Sequence, residues 1–386
     1  MNSPDPSAPD SHADTRASLR LFKTFPALAG RLPHVSLGNF PTPVEELLDV
    51  GKAVGLDRLY IKRDDLSAAV YGGNKVRKLE FLLGDALRRN AKEVVTFGFA
   101  GSNHALATAI YARRLGLGCT SLLLPQVNAH YVRRNLLAGQ HFGADLRHFE
   151  NWTLLGIGLA RTLLLGGIRQ RVLPRIIPAG GSCPLGILGY VNAAFELKEQ
   201  IGAAKMPEPD IIYVPLGSMG TSVGLELGLR AAGLRSRVVA VRVIEERYAR
   251  LKKHRQLFSD TVSLLRRADA SFPRLNISDD GVEIRNDCLG DGYARFTAKA
   301  VRAAALMKEK AGIVLNGTYS AKAFSALVGD AAGGLLKGKT VLFWNTYNSR
   351  DLSSSAAGVD YRRLPRAFHR YFEEDVQPLD RDGFDR

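Results

Sequence analysis

Apolar and polar residues follow two alternating periods through the middle of this chain, and the period changes at glycine-rich points. Glu93-Val94-Val95-Thr96-Phe97 has the short, β-branched character of a buried strand, and Gly98 to His104 breaks it with a turn. An alanine-rich run predicts a helix over 105–115, followed by a strand over 119–124, a helix over 131–142 and a strand over 145–149. This β-α-β-α-β order predicts a parallel sheet with right-handed crossovers. A second region of the same kind starts near residue 175. Ile176-Ile177-Pro178 is strand-like and runs into Ala179-Gly180-Gly181-Ser182. A helix over 186–201, a strand over 211–216, a glycine turn at 217–220, a helix over 221–233 and a strand over 238–243 follow.

Further elements flank these regions. A strand is predicted over 58–62, and Leu79, Phe81-Leu82-Leu83 and Ala86-Leu87 put a helix over 77–90. Residues 21–57 read as an approach segment in which Thr42 caps a helix and Pro43 is its first residue. Towards the C-terminus come a helix over 297–310, strand-like Ile313-Val314-Leu315, a helix over 320–337 and a strand over 340–344. The chain has no internal repeat, and residues 350–386, charged and aromatic without periodicity, are expected to wrap the surface. The apolar run from Thr153 to Leu165 is shorter than the ~20 residues a membrane span needs. Arg161 interrupts it, so a buried or interfacial helix is expected.

Composition narrows the class. With 386 residues, 46% hydrophobic and 24% charged, the chain has room for two domains or for one large α/β domain with an insertion. Its three cysteines, Cys119, Cys183 and Cys288, are far apart and fit no metal pattern, which suits a reduced cytoplasmic compartment. A formal charge of +15 would suit nucleic acid, but the basic residues are dispersed and not interleaved with aromatics. A basic enzyme that attracts anionic substrates and cofactors is the preferred reading; neither a nucleic-acid nor a membrane partner is expected. Residues 1–20, rich in Ser, Pro, Asp and Ala, read as a disordered leader.

Four short stretches carry candidate chemistry. Tyr71-Gly72-Gly73-Asn74-Lys75 places a lysine after a glycine turn at a helix mouth. Such a lysine is commonly a solvated charge; partly desolvated, it becomes a nucleophilic amine able to form a Schiff base. Gly101-Ser102-Asn103-His104 offers helix-start amides to an anion, although Ser102 can equally be a cap and His104 a structural histidine. Gly217-Ser218-Met219-Gly220-Thr221 can cradle a phosphate but matches neither the P-loop nor the dinucleotide fingerprint. Gly317-Thr318-Tyr319-Ser320 closes another predicted strand. In an open parallel sheet all four lie at the carboxyl ends of strands, where ligands bind.

Together these stretches resemble the fold type II, tryptophan-synthase-β-like pyridoxal-phosphate enzymes. Within that group they are similar to the 1-aminocyclopropane-1-carboxylate deaminase and D-cysteine desulfhydrase family. The resemblance rests on Lys62-Arg63-Asp64-Asp65-Leu66, Gly72 to Glu80, Ser102-Asn103-His104, Ile177 to Ser182 with Gly186 and Gly189-Tyr190, Gly217 to Thr221, and Tyr319 to Lys322. It covers about residues 38–345. It implies an α/β fold of two open, mostly parallel twisted sheets flanked by helices. The cofactor, pyridoxal 5′-phosphate, would lie in the cleft between a large domain (21–82 and 186–386) and an inserted small domain (83–185). A homodimer is implied as well.

The resemblance also implies roles. Lys75 would be the Schiff-base lysine and the base that takes the Cα proton. Gly217, Ser218, Met219, Gly220 and Thr221 would hold the phosphate with Lys78. Asn103 would bond the ring hydroxyl, and Ser102, Asn103 and His104 would hold the substrate carboxylate. Tyr319 and Tyr293 would line the substrate side. Ser320 would face the pyridine nitrogen, where the cyclopropane deaminases carry a carboxylate. A hydroxyl there suits α,β-elimination of a good leaving group, so the expectation is a D-cysteine desulfhydrase-like lyase releasing pyruvate, ammonia and sulfide. Cyclopropane-carboxylate deamination and β-replacement are the alternatives on the same cofactor, and a non-catalytic binder is the alternative of another class. Two departures from the family pattern stand out: Gly101 where a glutamine is usual, and Trp344-Asn345-Thr346-Tyr347-Asn348 where a His-Thr-Gly-Gly turn is usual.

Overall fold

Among the described residues the chain forms ten strands: β1 Val44–Glu46, β2 Leu59–Arg63, β3 Glu93–Phe99, β4 Gly118–Leu124, β5 Asp145–His148, β6 Arg175–Ile177, β7 Ile211–Leu216, β8 Arg237–Arg242, β9 Val282–Arg285 and β10 Val341–Asn345. They are seen in a computed structural model that describes residues 19–277, 282–381 and 383. One sheet has six strands in the order β1-β2-β10-β7-β8-β9, and the other has four in the order β5-β4-β3-β6. Every ladder among the described residues is parallel except β1 on β2. The longer helices are α1 Leu48–Val54, α2 Lys75–Arg88, α3 Asn103–Arg114, α4 His130–His141, α5 Trp152–Gln170, α6 Pro184–Gly202, α7 Gly220–Ala232, α8 Leu251–Ala268, α9 Ala298–Ala311 and α10 Ser320–Ala332. This is the α/β architecture of two mostly parallel sheets flanked by helices that the residue pattern implied. The central strands β7 and β10 are buried along their whole length, as parallel strands covered on both faces must be.

Several expectations are corrected. Residues 42–46 do not start a helix; Val44–Glu46 is an edge strand with Val44 opposite Lys62. Thr42 is engaged elsewhere: its N–H donates to Glu196 Oε1 at 2.9 Å, its hydroxyl donates to Asp64 Oδ1 at 2.9 Å, and its carbonyl accepts from Lys62 Nζ at 2.6 Å. Ile313-Val314-Leu315 joins no ladder, because β10 already has β2 on one side and β7 on the other. Ile313 and Leu315 are instead buried as apolar fillers against α9 and α10. Strand β9 and helix α8 had no counterpart among the sequence-based expectations. The proposed leader lies outside the described residues up to 18, whereas Leu19 is already buried in the core.

Helix α5 is the apolar run of 153–165 extended at both ends. It buries Leu155, Thr162 and Gly166 but leaves Ile157, Leu164 and Ile168 exposed. No helix among the described residues is long and apolar enough to cross a membrane. Beyond residue 350 the chain lies over α4, packing Leu364, Phe368 and Tyr371 against Tyr131, Val132 and Leu136.

A buried charge network anchors the start of α2. The side chains of Lys62, Asp64, Arg77 and Glu196 are at most 1% exposed. Arg77 donates twice to Asp64 and twice to Glu196, and Lys62 Nζ donates to Glu196 at 2.5 Å. Asp64 also accepts from Tyr190 Oη at 2.6 Å and from Trp344 Nε1 at 2.8 Å. Two cations face two anions, so the charge is balanced among side chains buried from solvent.

Candidate active site

Lys75 is the first residue of α2, and the turn before it is held from the far end of the chain. The Gly72 N–H donates to Asn348 Oδ1 at 2.6 Å, and the Asn74 N–H donates to the Thr346 carbonyl at 3.1 Å. Gly73 has φ +91°, and a Cβ there would lie 2.9 Å from the Thr346 oxygen, so only glycine fits. The Lys75 amine donates to Asn74 Oδ1 at 2.8 Å, and no carboxylate among the described residues reaches it. Burial lowers its pKa from 10.5 to about 8, leaving part of it as free amine near neutral pH.

The second component is the end of β7. After Leu216 the chain turns through Gly217 and Ser218, and Met219 adopts the left-handed conformation (φ 72°) as α7 begins at Gly220. Thr221 Oγ1 accepts from Asn74 Nδ2 at 3.0 Å, joining this turn to the lysine turn. Ser182 completes it: its Oγ lies 2.7 Å from Ser218 Oγ and accepts from the Gly220 N–H at 3.0 Å. Lys78, one helical turn beyond Lys75, donates to the Gly180 carbonyl at 3.1 Å. Burial, and then the neighbouring Lys75, hold its pKa well below the usual lysine value. Two buried amines beside a helix N-terminus, neither ion-paired among the described residues, ask for an anion.

The third component is the turn after β3. Ser102 is the N-cap of α3, its Oγ accepting from the Ala105 N–H at 3.1 Å, so the capping role is real and its hydroxyl proton stays available. Asn103 Oδ1 accepts from Asn135 Nδ2 at 2.8 Å and from Tyr71 Oη at 3.3 Å, which leaves its amide as the free donor. His104 is buried, and neither ring nitrogen makes a hydrogen bond of normal geometry. Burial, with Lys75 and Lys78 next, keeps it neutral. Opposite, the hydroxyls of Tyr293 and Tyr319 are hydrogen-bonded to each other. Burial raises both, Tyr319 to about 12, so both are protonated donors at neutral pH.

One cavity of about 380 Å³ joins these components. Lys75, Lys78, Ser102, Asn103 and His104 line it, as do Gly217, Ser218, Met219 and Thr221, with Tyr293 and Tyr319 opposite. Gly220 and Ser320 do not. Gly220 lies behind Ser182, and the Ser320 Oγ folds back to accept from the Asn316 N–H at 2.8 Å. The described lining contains three lysines, the third being Lys253, and no aspartate or glutamate.

Both departures from the family pattern have a structural counterpart. A side chain at Gly101 would meet Gln126 Nε2 at 2.9 Å; the Gln126 amide fills that space from beyond β4 and accepts from the Gly101 N–H at 2.8 Å. In the 344–348 turn, Asn348 grips Gly72, and Tyr347 Oη accepts from Arg134 at 2.5 Å. The added bulk clamps the lysine turn. Sequence reasoning assigned no role to Asn74, Ser182, Trp152, Tyr248 or Lys253. Ser182 had a signal in its Gly-Gly-Ser context; Trp152, Tyr248 and Lys253 had none.

Residues 35–346 match the family described as pyridoxal-phosphate dependent enzyme. The chain belongs to that family. It is 35% identical to a nocardicin C-9′ epimerase of Nocardia uniformis subsp. tsuyamanensis over 83% of this chain and 94% of that protein. It is 33% identical to a D-cysteine desulfhydrase of Klebsiella pneumoniae over 77% of this chain and 88% of that protein. Among solved structures, an ACC deaminase homologue superposes with a TM-score of 0.72 at 32% identity, covering 85% of this chain and 94% of that one. This pyridoxal-phosphate enzyme therefore has the fold type II architecture, and its cofactor is pyridoxal 5′-phosphate. Its residues fit that group: a neutralisable lysine, a buried Lys78 beside the α7 amides with no carboxylate partner among the described residues, and an unsatisfied His104.

Proposed function

We propose that this enzyme catalyses α,β-elimination on a D-amino acid that carries a leaving group on Cβ, with D-cysteine giving pyruvate, ammonia and sulfide. The observation that carries this is a desolvated Lys75 amine sharing a cavity with an anion seat at the α3 N-terminus and with no carboxylate in its described lining. Bound there, the cofactor supplies an electron sink for the pair left when the Cα–H bond breaks. Ser102, the Asn103 amide and the α3 N-terminus hold the substrate carboxylate and so orient Cα. Lys75 accepts the Cα proton as a general base. Tyr319 and Tyr293, kept protonated by burial, donate a proton to the departing group. A described lining without acidic residues supports elimination over cyclopropane ring opening, because none of those residues can hold an extra proton on the cofactor ring to deepen the sink.

The test has two parts. Lys75→Ala loses the near-visible absorbance of the lysine-bound cofactor and all keto-acid release; retained absorbance would remove Lys75 from this role. Products then discriminate among reactions: pyruvate with sulfide from D-cysteine supports elimination, whereas 2-oxobutyrate from 1-aminocyclopropane-1-carboxylate would sink it in favour of ring opening.

A further inference from the structure

The cleft extends further than a thiol can reach. From the reacting end, aromatic rings follow one another along one wall to the mouth. Tyr319 packs edge-on against Tyr293, with centroids 6.0 Å apart, and Tyr293 lies tilted against Phe99 at 4.6 Å. Phe99 meets Trp152 edge-on at 6.2 Å, and Trp152 meets Tyr248 at 6.0 Å. The Trp152 Nε1–H donates to Tyr248 Oη at 3.1 Å, which fixes both rings at the opening. All five rings line the same cavity, together with Phe97, which lies two residues before Phe99 on β3. Trp152 is 41% exposed, so the outer end of the row is accessible to a ligand.

This wall and the carboxylate seat belong to one stretch of chain. Phe97 and Phe99 end β3, and Ser102 caps the helix that follows. A Cβ on Gly98 would lie 2.9 Å from Ser102 Oγ, so that position is kept bare between the wall and the seat. A substrate held by its carboxylate at Ser102 and by its Cα at Lys75 has the row of rings beside it for its side chain. A CH2–SH group spans only the first ring; a side chain longer by an aromatic group stacks against Phe99 and Trp152, where ring pairing adds to area burial.

We propose that the preferred substrate is an S-arylalkyl thioether of D-cysteine, and that Phe99, Trp152 and Tyr248 select it. The proposal rests on the elimination reading above. In the step, the Cα–H proton passes to Lys75 and the Cβ–S bond breaks. Its electron pair leaves with sulfur, and the thiolate is protonated from the Tyr319–Tyr293 side. One water then converts the three-carbon remainder to pyruvate and ammonia, so thioether plus water gives thiol, pyruvate and ammonium.

Two ligands without a leaving group isolate binding from chemistry. Isothermal titration of the holoenzyme compares D-homophenylalanine with D-2-aminobutyrate. The aromatic ligand is expected to bind at least about tenfold tighter, the order for burying part of a phenyl ring. Trp152→Ala should bring the ratio of the two affinities towards one. Tyr248→Ala, the last ring of the row, should shift it the same way and serves if the first variant fails to fold. Equal affinities in the unaltered holoenzyme, or a ratio untouched by either variant, would overturn the proposal. Product release from S-benzyl-D-cysteine and D-cysteine separates it from the reading beneath it. An intact affinity ratio with neither thiol released defeats elimination and keeps the aromatic subsite. Release of both at equal kcat/KM with equal affinities defeats the subsite and keeps elimination.

Discussion

Glu196→Gln tests what holds the lysine turn in place. Glu196 sits under α2 with its side chain 0% exposed, bonded to Lys62 and, through both oxygens, to Arg77. Arg77 is two residues from Lys75. The substitution keeps the shape and removes one of two negative charges, so two buried cations then share a single anion, Asp64. Breaking a buried pair in this way costs about 3–5 kcal/mol. A second route gives a similar size: Arg77 and Lys62 overcome the desolvation of Glu196 and hold its carboxyl down from 4.5 to about 2, about 3 kcal/mol of preference for the charged form. Because the folded pKa is the lower one, this stability is complete above about pH 4.5 and is lost as pH falls towards about 2.

Urea unfolding of the cofactor-free protein, followed by tryptophan fluorescence, measures the effect. Trp344 donates to Asp64 and so reports from within the network. The variant should lose about 3–5 kcal/mol at pH 7, and its stability should fall less steeply than that of the unaltered protein between pH 4.5 and 2. A loss below about 1 kcal/mol, the worth of one ordinary hydrogen bond, together with an unchanged pH slope, would refute the charge-balance account.

Two further predictions concern the cofactor. In Gly220→Ala the new Cβ would lie 2.5 Å from Ser182 Oγ and 2.9 Å from Lys78 Nζ, pushing both groups out of the phosphate cradle. Fluorescence titration of the cofactor-free protein should show pyridoxal phosphate bound at least about tenfold more weakly, the equivalent of one charge-assisted hydrogen bond, and unchanged affinity would remove the cradle from phosphate binding. The rate at which the cofactor-free protein takes up pyridoxal phosphate should rise with pH and level off just above about 8, because the neutral amine is the nucleophile. Stopped-flow absorbance checks this, and a rise that continues to the ordinary lysine value of 10.5 would show that Lys75 is not desolvated.

What the sequence determined by itself was local. Strand Ile211–Leu216 and the helices around Ala105–Leu115 and Thr221–Gly233 were legible because period and β-branching report burial within one element. The lysine turn and the 217–221 turn were legible because glycine spacing reports where backbone must bend or approach closely. The tertiary structure decided whatever depended on a distant partner. Thr42 had every local mark of a helix cap, yet Glu196, Asp64 and Lys62 claim its donors and acceptor, and an edge strand forms instead. Ile313-Val314-Leu315 had strand character but no free neighbour, since β2 and β7 flank β10. Ser320 was expected at the ring nitrogen; its Oγ accepts from the Asn316 N–H four residues back, a contact that orients the hydroxyl and leaves its proton available. The aromatic wall was legible only at its inner end: the resemblance put Tyr319 and Tyr293 on the substrate side, while nothing in the sequence pointed to Phe99, Trp152 or Tyr248. Its rings come from β3, α5, the segments after β8 and β9 and the N-terminus of α10, and only the folding of two sheets towards one cleft sets them in line with Lys75.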